Sequence, residues 1–150
     1  GAVAAARRLA AGVTPEFPPD RIRQEPPESL TFPDASFDVV ICSAVLHFAR
    51  DDAQFEAMVR GMWRVLKSGG IFFARLASNI GMEGRMRHLG NHRYLLPDGT
   101  ERYLVDEGRL VDLTRALGGV MLDPLKTTVV QDQGCMTTWV VRKLASKTQP

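Results

Sequence analysis

The stretch from Phe32 to Leu76 constrains the fold more than any other part of the chain. After an Asp-Ala-Ser turn at 34–36, Phe37–Cys42 is a nearly continuous apolar run, the pattern of a strand buried on both faces of a parallel sheet. Asp51 stands where a helix N-cap belongs, and Phe55, Met58, Val59, Met62, Val65 and Leu66 then recur at helical spacing to make one apolar stripe. Gly69-Gly70 closes that helix, and a second strand starts at once over Ile71–Leu76. Strand, helix and strand joined this tightly make a βαβ unit with a right-handed crossover.

The flanking segments fit around that unit. Ala2–Ala11, rich in Ala, Arg and Leu, predicts a helix ended by Gly12. Three prolines between 14 and 20 make that segment a loop, and Arg21–Gln24 reads as a short strand stopped by Pro26-Pro27. Residues 78–105 differ in character, with four glycines among Arg85, Arg87, His88, His92, Arg93 and Arg102. Within them, Tyr94–Leu96 and Arg102–Val105 flank a Pro-Asp-Gly turn and predict a hairpin. Asp106 caps a helix carrying Leu110, Leu113 and Leu117, Gly118-Gly119 ends it, and two closing strands follow near 120–130 and 135–143. A tail at 145–150 should fray. The organisation is one partial domain over 1–144, with 78–105 as an insertion on its ligand side.

Composition narrows the function classes. The 150 residues suffice for one domain with a core, and a hydrophobic share of 45% fits a globular chain. A formal net charge of +2 gives no footprint for nucleic acid or a membrane surface, and the apolar runs fall short of the ~20 residues a membrane helix needs. Cys42 and Cys135 form no disulfide framework and read as reduced thiols of a cytoplasmic protein. His88 and His92 are four apart but lack Cys or acidic partners nearby, so no metal site is expected. Trp63 and Trp139 read as core or interface aromatics.

Two segments, Glu28–Phe48 and Met62–Phe73, resemble class I S-adenosylmethionine-dependent methyltransferases of the small-molecule type. The first is similar to the approach to and exit from the family's fourth strand, the second to the helix and turn before its fifth. The broad group of tellurite-resistance and ubiquinone-type methyltransferases is the nearest likeness. The resemblance implies an α/β, Rossmann-like methyltransferase sheet, mostly parallel with an antiparallel last strand, N-terminally truncated. It also implies methyl transfer from S-adenosylmethionine to a small molecule. Cys42, Ser43 and Leu46 would lie by the cofactor, as would Glu25, Pro26 and Pro27. His47 would face the acceptor pocket, orienting the acceptor or taking a proton from it. Arg75, Arg85 and Arg93 would hold an anionic group on the acceptor. Where base-modifying relatives carry Asn/Asp-Pro-Pro-aromatic, this chain has Cys42–Val45, which argues against a nucleic-acid substrate.

The chain also departs from the family pattern. No Gly-x-Gly occurs in the first 60 residues, so the family's glycine-rich cofactor loop is not expected here, and with Ala2–Ala11 matching the helix after the family's second strand, neither is the acidic residue for the ribose hydroxyls. Pro26-Pro27 replaces the Asp-Ala that many relatives place before Glu-Ser-Leu, leaving Glu25 as the substitute carboxylate. Cofactor binding by this chain alone is therefore expected to be weak. In the family the fourth strand pairs with the first, so Phe37–Cys42 becomes an open apolar edge that a second copy would cover in a homodimer, exchanging either that edge or the Ala2–Gly12 helix. The rival reading is a truncated, non-catalytic relative serving as a dimerisation or binding module.

Overall fold

The Asp51 carboxylate accepts a hydrogen bond from the Gln54 N–H at 2.8 Å and starts helix α2, Asp52–Val65. The helix buries Phe55, Met58, Val59, Met62, Trp63 and Val65, the stripe its spacing required. Its carboxyl end is capped by the Lys143 ammonium, which donates to the carbonyls of Trp63 and Leu66 at 2.8 Å each. This computed structural model describes residues 1–146; the remainder of the tail expected to fray, 147–150, lies outside the described residues.

Helix α2 sits between strands β1 (Phe37–Ser43) and β2 (Leu66–Ser78), which pair in parallel as the βαβ reading requires. Three further strands complete the main sheet: β6 (Gly119–Met121), β7 (Lys126–Val130) and β8 (Gly134–Lys143). The order is β1-β2-β8-β6, with β7 on the same side of β8 as β6. The α/β class and the mixed sheet stand, and the antiparallel share is larger than expected. Only β1–β2 is a parallel strand pair among the described residues, because β8 runs against β2, β6 and β7 alike. The single closing strand expected near 120–130 is two strands, parted at 122–125 where Pro124 offers no N–H to a ladder. Arg21–Gln24 forms no strand; Pro19–Arg21 is a 3-10 turn, and the Ile22 carbonyl after it accepts from the Arg7 side chain instead of from a neighbouring strand.

Helix α3 (Glu107–Ala116) starts on Asp106, whose carboxylate accepts from the Arg109 N–H at 2.7 Å, and joins α2 on one face of the sheet. Between these layers Phe72 meets Trp63 and Trp139 edge to face, and the Trp139 indole N–H donates to Thr114 Oγ1 at 2.9 Å. Helix α1 (Ala2–Val13) buries no residue. The opposite sheet face is bare along β1, where Val39 is 51% exposed and Ile41 71%, and is covered only toward the end of β2, where Ala77 packs with Met82 and Leu104. Burial of β1 on both faces, expected from its apolar run, is thus wrong. Helices cover one face only, and β1 is the terminal strand of the order. The expectation of an open apolar edge matches what is seen.

The basic segment after β2 is a three-stranded meander of β3 (Arg87–Gly90), β4 (Arg93–Leu95) and β5 (Glu101–Tyr103). The Pro97–Thr100 turn joins β4 to β5, as the hairpin reading required. The β3–β4 corner, which that reading missed, is a two-residue turn with Asn91 and His92 both at positive φ.

Candidate functional site

At the carboxyl end of β1 the chain makes a strained corner. Ala44 holds φ +59, a left-handed conformation unfavourable for any side chain, and its N–H donates to the Arg75 carbonyl at 2.8 Å. A 3-10 turn, Leu46–Phe48, follows. Leu46 drops into the core with no exposure, while His47, 7% exposed, turns along the end of β2. His47 Nδ1 accepts the Ala77 N–H at 3.2 Å. A lone pair so occupied places the ring proton on Nε2, so the neutral imidazole offers a donor there and no acceptor. Burial, then the charges of Arg102 and Arg75, push its proton affinity below the ordinary value of 6.5.

His47 lines a cleft of ≈ 270 Å³. Its floor is Ala77 of β2; one wall is the β4–β5 turn with Leu96, Thr100 and Arg102, the other the β7–β8 turn with Val130 and Met136. The meander is locked over the cleft from behind. Tyr103 stacks on Phe55 at 4.8 Å and its hydroxyl donates to Asp52 at 2.5 Å, where His92 Nδ1 also binds at 2.7 Å. His92 is thereby a clasp between β4 and the start of α2. His88 lies 4.9 Å from the Tyr94 ring. No group of three or more metal-ligating side chains occurs among the described residues.

The three arginines expected to gather round an anion do not converge. Arg85 pairs with Asp132 at the β7–β8 turn. Arg93 donates to the Ala49 carbonyl at 3.0 Å and meets Glu101 at 3.4 Å. Arg75 alone lies close enough to His47 to lower its proton affinity. The cleft arginine is one that sequence reasoning passed over, Arg102. Its signal was available: in a strand where Tyr103 points to the core, the preceding residue faces the other way.

The expected cofactor positions divide. Cys42 is buried in the core, its thiol pushed up to about 11 by desolvation, and Leu46 is buried beside it. The Glu25 carboxylate is engaged by both the N–H and the hydroxyl of Thr31, which lowers its proton affinity. Pro26 precedes the 3-10 turn Pro27–Ser29, which is seated on Gly61 of α2. Only Ser43, with Ala44 beyond it, stays exposed at the strand end. At the strand end these residues leave Ser43 and the Ala44 backbone open to a ligand, and they do not enclose a nucleoside-sized site.

Residues 1–74 match the family described as a methyltransferase domain. Solved structures share the fold at low identity. A Burkholderia thailandensis 1,6-didemethyltoxoflavin-N1-methyltransferase, holding 1,6-didemethyltoxoflavin and S-adenosylhomocysteine, is 19% identical with a TM-score of 0.60, covering 81% of this chain and 49% of its own. The [4+2]-cyclase SpnF is 17% identical with a TM-score of 0.70, covering 96% of this chain and 64% of its own. A Methanosarcina mazei S-adenosylmethionine-dependent methyltransferase is 19% identical with a TM-score of 0.69, covering 95% and 79%. The chain thus spans about half and about two thirds of the first two neighbours' lengths. No curated protein sequence matches it.

Proposed function

We propose that this chain, whose residues 1–74 match a methyltransferase domain and whose fold is shared with S-adenosylmethionine-dependent methyltransferases, serves methyl transfer from S-adenosylmethionine to a small molecule bearing an anionic group. One observation carries the reading: a cleft at the carboxyl ends of the parallel pair β1–β2, where open α/β sheets bind ligands, lined by the histidine after β1. S-adenosylmethionine brings an already activated methyl group, so positioning is most of what the protein must supply. Ser43 and the backbone of Ala44 would form the wall beside the sulfonium. His47 would orient the acceptor through Nε2–H; its occupied Nδ1 favours that role over proton removal. Arg75 supports an anionic acceptor, whereas Arg85 and Arg93 are tied to other partners.

A second reading, a non-catalytic relative working as a dimerisation or binding module, has its own support. The Glu25 carboxylate is engaged by Thr31, and Val39 and Ile41 leave the edge strand apolar and open. Fold likeness cannot choose between them, since one neighbour is a cyclase. Isothermal titration with S-adenosylmethionine and S-adenosylhomocysteine decides. Micromolar binding supports the transferase; no heat with either, at millimolar ligand, favours the module. A homodimer paired edge to edge through β1 accompanies both readings.

A further inference from the structure

We infer that the cleft at His47 is a binding site for a small organic monoanion, gripped by the Arg102 guanidinium and the His47 Nε2–H. This inference rests on the transferase reading only for what the anion is used for; the binding itself stands on the cleft.

Arg102 is set up as an anion donor. Its guanidinium lies over the Phe48 ring at 4.9 Å and donates once, from one terminal nitrogen, to the Glu101 carbonyl at 2.8 Å. Among the described residues no carboxylate lies within ion-pairing distance of it. The other guanidinium donors remain available in a planar fork that matches a carboxylate. The Phe48 ring and the Glu101 carbonyl hold the guanidinium in place before any ligand arrives. Arg75, also without a carboxylate partner, adds positive potential at His47. His47 contributes a donor that cannot become an acceptor, because the Ala77 N–H holds Nδ1. Asp98 is the one carboxylate in the lining; its Oδ1 takes both the N–H and the hydroxyl of Thr100 at the tip of the β4–β5 turn, and it feels the Arg102 charge without forming an ion pair with it. Ala77, Leu96, Val130 and Met136 supply an apolar surface for the body of the ligand. At ~30 Å³ per water-sized group, a cleft of ≈ 270 Å³ takes a molecule of about ten heavy atoms. That is the size of a substituted aromatic or short aliphatic acid.

The lining holds no side chain ready to accept a proton near neutrality. Asp98 has its proton affinity lowered by Thr100, and the buried Cys135 thiol has its raised and donates to the Ser78 carbonyl at 2.9 Å.

The test is a titration of the whole chain with benzoate and with its neutral isostere benzamide, followed by the NMR signals of the His47 ring and the Arg102 guanidinium. Expected are saturable shifts of both groups with benzoate, and benzamide weaker by about tenfold or more, the worth of a charge-assisted pair. Arg102→Gln should weaken benzoate by a similar factor, while Arg60→Gln, on the far surface of α2, leaves it unchanged. Should Arg102→Gln fail to fold, Arg102→Lys serves, losing the planar fork but keeping the charge. Equal binding of the two probes, or shifts that bypass His47 and Arg102, overturns the inference. The S-adenosylmethionine titration separates the two claims: benzoate binding with no S-adenosylmethionine binding favours the module reading and leaves this inference standing, and the reverse sinks this inference alone.

Discussion

Gly61→Ala sets two well-known effects against each other in one residue. Gly61 lies inside α2, where alanine is favoured over glycine by about 1 kcal/mol. Propensity alone therefore predicts a stabler protein. The structure reverses the sign. A Cβ on Gly61 would sit 2.2 Å from the Pro27 carbonyl oxygen and 3.1 Å from both Pro27 C and Glu28 Cα, all of them backbone atoms. Relieving a 2.2 Å approach requires the Pro27–Ser29 turn to lift by about an ångström, and forced overpacking of this kind costs roughly 1–3 kcal/mol. Net destabilisation of about 1 kcal/mol is expected, a drop in Tm of about 2–4 °C for a domain of this size. Thermal and urea unfolding followed by circular dichroism measure it. Gly108→Ala is the matched control. It lies in α3, and its added Cβ would meet only Asp106 Oδ1 at 3.5 Å, an ordinary contact, so it should stabilise by about 0.5–1 kcal/mol. A higher Tm for Gly61→Ala would refute the seating of the proline turn on α2, and with it the account of why Pro27 packs on the helix.

Three other outcomes can be checked. Because the folded state holds His47 below its ordinary 6.5, the unfolded chain takes the proton first as pH falls; its contribution is full above about 6.5 and declines on acidification, by at most about 1.4 kcal/mol per pH unit. Urea midpoints at pH 7 and 5 should therefore converge in His47→Gln relative to the parent, and parallel slopes would count against the buried neutral imidazole. Trp139→Phe removes ring volume from the core and the donor to Thr114, and should cost about 2–4 kcal/mol in urea denaturation, with a change below 1 kcal/mol contradicting the packing described. Ile41→Lys places a charge on the open face of the edge strand; sedimentation should find the parent dimeric and the variant monomeric at equal stability, and a monomeric parent would dispose of the edge-to-edge pair.

The parts of the fold legible in the sequence are those whose cause is local. Asp51 and Asp106 cap their helices through residues three positions on, and the α2 stripe follows from a 3.6-residue period. The β4–β5 turn follows from Pro97 and from Gly99 at φ +82. What was misread depends on partners distant in the chain. An apolar strand predicts burial, but the covering of each face is decided by other elements, and here α2 and α3 lie on the same side. The arginines make the same point at the site. Arg85 lies by Asp132 and Arg93 by the Ala49 carbonyl, 47 and 44 residues away; no spacing rule reveals such pairings. A positive side chain becomes a binding group when the fold leaves it without a carboxylate and holds it still, and Arg102 meets both conditions through Phe48, 54 positions earlier by residue number. That ring belongs to the same short turn that buries His47, so the cation and the neutral donor are positioned by one piece of backbone. Loosening the turn should therefore weaken both contacts together, which two independently placed residues would not do.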